Sequence, residues 1–140
     1  MYDIREDLMN RMVKELKEEQ PNFEVMTDEE YYFSDYGIRR RQRNQTCSKD
    51  VYMHCLVPGV AKNLFAAYFH KKHIAVAVPM DFESFKTELN VEREVKDVFQ
   101  NPYIAFKVVR KDHDEMYSDC KKLISELFAF ADKNNLRSKW

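Results

Sequence analysis

Arg39, Arg40, Arg41 and Arg43 crowd into one short stretch of a chain whose formal charge is only −1. From Tyr36 to Lys49 no acid interrupts them. The stretch just before, Pro21 to Asp35, carries Glu24, Asp28, Glu29, Glu30 and Asp35 with no lysine or arginine. A guanidinium is a planar fork that matches the oxygens of phosphate or carboxylate, so the cluster makes a strong local field on a nearly neutral protein. Tyr31, Tyr32, Phe33 and Tyr36 stand next to it and offer faces on which unpaired bases stack. Arg and Tyr are also the residues that most often anchor protein interfaces. A third use needs no ligand. If the chain turns at Gly37, residues 28–35 and 38–45 run antiparallel and the acids face the arginines as a solvated ion-pair ladder.

Other chemistries have their ingredients but not their spacing. Asp28, Glu29, Glu30 and Asp35 with Lys49 and Asp50 could hold a hard divalent cation for a nuclease, the arginines gripping the substrate backbone. Cys47, His54, Cys55, His70, His73 and His113 are zinc-ligand types. Yet no C-x-x-C pair exists, and His54 and Cys55 point to opposite faces if they share a strand. Cys120 and Cys55 fall on apolar stripes and read as core thiols rather than nucleophiles. Glycine occurs twice, at Gly37 and Gly59, which excludes the P-loop and dinucleotide-binding loops, since both need several glycines in one turn. No cofactor is implied and no metal is assigned.

The elements that would position these residues can be read from periodicity. Ile4, Leu8, Met12 and Leu16 make a four-residue stripe over residues 3 to 20, opened by Asp3 with Glu6 and stopped by Pro21. Thr27 with Glu30 is a second capping pattern, so residues 27 to 35 begin either a short helical turn or a strand. Residues 50 to 57 alternate as a strand and end at Pro58-Gly59. Leu64 to Val78 reads as two strands joined through His70-Lys71-Lys72-His73, with a helix over 60 to 70 as the alternative. Asp81 and Asn90 can each cap a helix, the first through Leu89 and the second through Gln100, with Pro102 closing it. Tyr103 to Val109 is a further strand. Asp112 with Glu115 opens the longest apolar stripe, Met116 to Ala131, and the polar tail after Asn134 is expected to fray.

Strands grouped between terminal helices predict an α+β fold, a mainly antiparallel sheet of about four or five strands packed by N- and C-terminal amphipathic helices. The length of 140 residues suits a single domain, and 44% hydrophobic with 34% charged residues suits a folded one. Three cysteines, no apolar run long enough to span a bilayer and no leader-like start point to a cytoplasmic, intracellular protein without a membrane partner. The functional expectation is a small non-catalytic binding or regulatory module, such as an inhibitor or adaptor. Its protein or nucleic-acid partner would meet segment 24–49 at Tyr31, Tyr32, Tyr36, Arg39, Arg40, Arg41 and Arg43. The alternative is a metal-dependent nuclease or other phosphate-directed enzyme using the same segment.

Overall fold

Asp3 opens the first helix by accepting the Arg5 backbone N–H (3.0 Å) and holding the same residue's guanidinium (2.9 Å). In the computed structural model, which describes residues 3–34, 51–57, 63–98 and 101–136, this helix, α1, runs Ile4–Glu19. Glu6 and Asp7 sit in its positive first turn and Lys17 in its last, as the helix dipole favours. Leu8, Met12, Val13 and Leu16 form its buried stripe. The chain then enters a short strand, β1 (Glu24–Thr27), and a single helical turn, α2 (Asp28–Tyr32). Thr27 and Glu30 close a reciprocal capping box: Thr27 Oγ1 accepts the Glu30 N–H (3.2 Å) and Glu30 Oε1 accepts the Thr27 N–H (3.0 Å).

Strands β2 (Val51–Leu56), β3 (Asn63–Phe69) and β4 (His73–Pro79) follow, then a 3₁₀ turn (Met80–Phe82), β5 (Glu92–Val98), β6 (Asn101–Val109) and the long helix α3 (His113–Lys133). One antiparallel sheet results, in the order β1-β2-β3-β4-β6-β5. The helix considered for residues 60–70 does not form over the described part of that stretch, where β3 occupies Asn63–Phe69; residues 60–62 lie outside the described residues.

The sheet has six strands where four or five were expected; β1 and β5 are the additions. The helices expected over residues 81–89 and 90–100 are absent from the described residues. After Pro79 only the 3₁₀ turn forms, and it has no side-chain cap. Phe82 and Phe85 turn inward instead: Phe82 lies 5.4 Å from the Phe130 ring, and Phe85 lies 5.6 Å from Phe106. Burying two rings outweighs a capping signal of about 1 kcal/mol. The chain must then return to the sheet edge, and an extended residue covers about twice the distance of a helical one. Pro102, expected to stop a helix, sits inside β6. It lies past the last β4–β6 pair, Pro79 with Tyr103, so its missing N–H breaks no bond to β4.

The pleat assigns one face to the helices. Met53, Ala67, Val76 and Phe106 form one row across β2, β3, β4 and β6, and Phe69, Ile74 and Val108 form another. All are buried in the main core with Leu8, Met12 and Leu16 from α1 and Met116, Cys120, Leu123, Ile124 and Leu127 from α3. Helix α1 covers β1 to β3, and α3 covers β4 and β6. Of the tail expected to fray after Asn134, Asn135 and Leu136 are held in place, and residues 137–140 lie outside the described residues. Asn135 takes a left-handed conformation (φ 54°), the Leu136 N–H bonds Ala131 O (2.9 Å), and the Leu136 side chain is 2% exposed. This is a helix end sealed by an apolar contact. Among the described residues no helix is long and apolar enough to cross a membrane.

Candidate functional site

On the face of the sheet away from α1 and α3, a column of rings grows from β2. Alternation sends Met53 and Cys55 into the helix-side core and Tyr52 and His54 the other way. His54 is 0% exposed, the one fully buried histidine among the described residues. The Tyr31 ring stacks on it at 3.8 Å and 20°. Tyr52 meets it edge-on at 4.9 Å and in turn stacks on Tyr68 at 4.8 Å. Asp28, in the first turn of α2, faces His54 Nε2 at 3.4 Å. A carboxylate beside an imidazole is a general-base pair in form. His54 is fully buried while the Asp28 side chain keeps 24% exposure, and the contact between them acts as a clamp that seats α2 on β2.

The clamp fixes both ends of the arginine-bearing stretch, because α2 leads into it and β2 leads out. Tyr36, Arg39, Arg40, Arg41 and Arg43 fall within residues 35–50 and lie outside the described residues, as do Asp35, Cys47, Lys49 and Asp50. Of the predicted aromatic contacts, Tyr31 is an interior residue at 6% exposure and Tyr32 ends α2. Among the residues of this run whose exposure is described, Phe33 is exposed, at 68%. It directly follows α2, with its N–H bonded to Glu29 O (3.2 Å). Five helical residues are too few for an apolar stripe to show which ring would face inward. Residues 28–32 are helical, so they cannot supply one strand of the acid–arginine ladder. Glu30 instead pairs with Lys17 (3.5 Å) and caps α2. The Thr27 N–H, and then the Lys17 charge, hold its carboxyl below the usual range.

A second basic feature lies at the same end of the sheet, since Val51 pairs with Phe69 beside the β3–β4 turn. That turn projects exposed Lys71 and Lys72. His70 and His73 stack across it at 4.1 Å. Burial, followed by the neighbouring charges of His70 and Lys107, keeps His73 below its ordinary value against the opposing pull of Glu92. His113 Nε2 donates to the Lys71 carbonyl (2.8 Å), tying the start of α3 to the turn.

Comparison with protein-family models, curated proteins and solved structures found no match to this chain.

The other chemistries can be weighed on their own geometry. Among the described residues no group of three or more His, Cys, Asp or Glu side chains converges as metal ligands. Cys55 and Cys120 are buried and free. Burial pushes the Cys120 thiol up to about 12 and Cys55 higher still, so neither supplies a thiolate near neutrality. Between α1 and α3 runs a shallow groove of about 720 Å³ lined by charged side chains. Tyr117 OH donates to Glu15 Oε1 (2.5 Å), Arg11 lies 4.1 Å over the Tyr117 ring, and Lys121 reaches both Glu15 (3.4 Å) and Glu19 (2.5 Å). The Tyr117 bond, ahead of the Lys121 charge, lowers the Glu15 carboxyl, while burial and that bond raise the Tyr117 phenol. These groups answer one another along two parallel helices and form a polar zipper.

Proposed function

We propose that this chain is a non-catalytic binding module that engages an anionic partner through the arginine cluster at residues 39–43, single-stranded nucleic acid being the partner its residues fit best. The observation that carries the reading is Phe33. It is a large ring, 68% exposed, set directly before the arginine-bearing stretch on a helical turn that the His54 clamp holds in place. A stacking ring beside a run of guanidinium groups is the combination that sequence-tolerant single-strand binders use. Exposed Lys71 and Lys72 at the same end of the sheet extend the positive surface toward a backbone of phosphates.

The test is equilibrium binding of a fluorescent single-stranded oligonucleotide to the wild type, to Phe33→Ala, and to the variant with Arg39, Arg40, Arg41 and Arg43 all changed to Ala. Stacking on one ring is worth about 1–3 kcal/mol, so Phe33→Ala should weaken binding by roughly five- to a hundredfold. The quadruple variant should bind more weakly still. Equal binding by all three proteins refutes the proposal. Capture of a protein from nuclease-treated extract, lost in the quadruple variant, would instead make the partner an acidic protein.

A further inference from the structure

The edge strand β5 has β6 as its one strand neighbour among the described residues. A seven-residue edge presents a row of outward N–H and C=O groups on which another strand can pair. Its sequence is Glu92-Arg93-Glu94-Val95-Lys96-Asp97-Val98. Laid antiparallel against itself about Val95, it puts Arg93 opposite Asp97 and Glu94 opposite Lys96. We infer that β5 pairs with β5 of a second copy of this chain about a two-fold axis through Val95, joining two sheets into one.

The pleat makes this pairing consistent on both faces. Arg93 and Val95 lie opposite Phe106 and Ile104 of β6 and so share the helix-bearing face, together with Asp97. Glu94 and Lys96 lie opposite Ala105 and Tyr103 on the other face. In the paired strands the helix-bearing face carries Arg93–Asp97 twice, flanking two valines that meet at the axis. The other face carries Glu94–Lys96 twice. Every charged pair is of opposite sign, and Val95, 51% exposed in the single chain, gains an apolar partner. Only one register does this. The two neighbouring registers that keep the helices on the same side of the sheet put Glu94 against Glu94 or Lys96 against Lys96. Slips by a single residue put Arg93 against Lys96 or Glu94 against Asp97. In the single chain, Lys96 reaches Glu94 along the strand at 3.9 Å and Arg93 donates to the Glu83 carbonyl at 3.2 Å, contacts loose enough to be exchanged for cross-strand ones.

Two measurements on the full chain test the pairing. Opposed residues in an antiparallel pair have Cα atoms about 4.5–5.5 Å apart, within disulfide reach. Val95→Cys in a Cys47→Ser background should therefore give a covalent dimer on mild oxidation. Arg93→Cys and Asp97→Cys should not, because each lies several residues from its own copy. Linking at all three positions, or at none, overturns the inference. In sedimentation velocity the wild type should dimerise with concentration. Lys96→Glu should weaken that dimer by on the order of tenfold, since two attractive pairs become repulsive. Combining Glu94→Lys with Lys96→Glu should restore it by swapping the signs. A wild type that stays monomeric, or a swap that does not restore dimerisation, contradicts the pairing.

Discussion

Tyr117→Phe isolates one bond in the helix–helix zipper. The ring stays, along with its packing (Tyr117 is 2% exposed) and the Arg11 guanidinium over its face; only the hydroxyl bonded to Glu15 is removed. A hydrogen bond to a charged group contributes about 1.5–3 kcal/mol. The Glu15 side chain is 36% exposed and keeps Lys121 and Arg11, so water and cations partly replace the lost donor and the cost falls to about 1 kcal/mol. For a chain of this length that lowers the Tm by roughly 3–5 °C. The pH dependence gives the sharper check. Glu15 titrates below its ordinary 4.5 in the fold, chiefly because of Tyr117. Its contribution is therefore complete above that value and is lost as pH falls through the folded one. Without the hydroxyl the depression shrinks, so the stability gap between wild type and variant should be full at neutral pH and narrow as pH falls below 4.5. Urea unfolding followed by circular dichroism at neutral and acid pH measures this gap. A gap that persists undiminished into acid, or a phenylalanine variant as stable as the wild type at neutral pH, would refute the reasoning.

Three further outcomes follow from the same structure. Phe82→Ala, which empties a buried site against Phe85 and Phe130, should cost about 3–5 kcal/mol in chemical denaturation; a loss under about 1 kcal/mol would mean that segment 80–85 does not pack as described. His73 is held below its ordinary 6.5, so the unfolded chain takes up the proton first and stability falls as pH drops through that value. His73→Gln should flatten the stability profile between about pH 7 and 5, and an unaltered slope would remove His73 as its source. Leu136→Ala should cost about 2 kcal/mol or more, because the side chain seals the end of α3; a silent substitution would restore the fraying tail that polarity alone suggests.

How much was legible in the sequence depended on how each element buries itself. Helices α1 and α3 bury one stripe and expose the rest, so their spacing of three and four residues was visible from Leu8, Met12 and Leu16 and from Met116 to Ala131. The capping box at Thr27 and Glu30 is local chemistry and was readable as such. Strands β2, β3, β4 and β6 carry enough alternation or β-branched residues to be seen. Strand β5 was not, since both faces of residues 92–97 are largely exposed and an edge strand needs no apolar alternation. Its charges read as the solvated side of a helix behind Asn90. In the candidate site, the run Tyr31-Tyr32-Phe33 marked an aromatic feature but not its orientation. The partner that draws Tyr31 inward is His54, on a strand far along the chain, and no local period encodes that contact. The same tertiary demand turned Phe82 and Phe85 toward Phe106 and Phe130 and overrode the cap at Asp81.

The arginine cluster remains the centre of the functional account, and the salt dependence of binding tests it most directly. Titrating a labelled single-stranded oligonucleotide at several salt concentrations gives the slope of log K against log salt, which changes by about 0.7 for each phosphate contact. The wild type should show a steep slope, and replacing Arg39, Arg40, Arg41 and Arg43 with Ala should flatten it by up to about three units while weakening binding at every salt. Identical slopes for the two proteins, or an absence of binding at low salt, would contradict a nucleic-acid-binding module built on these residues.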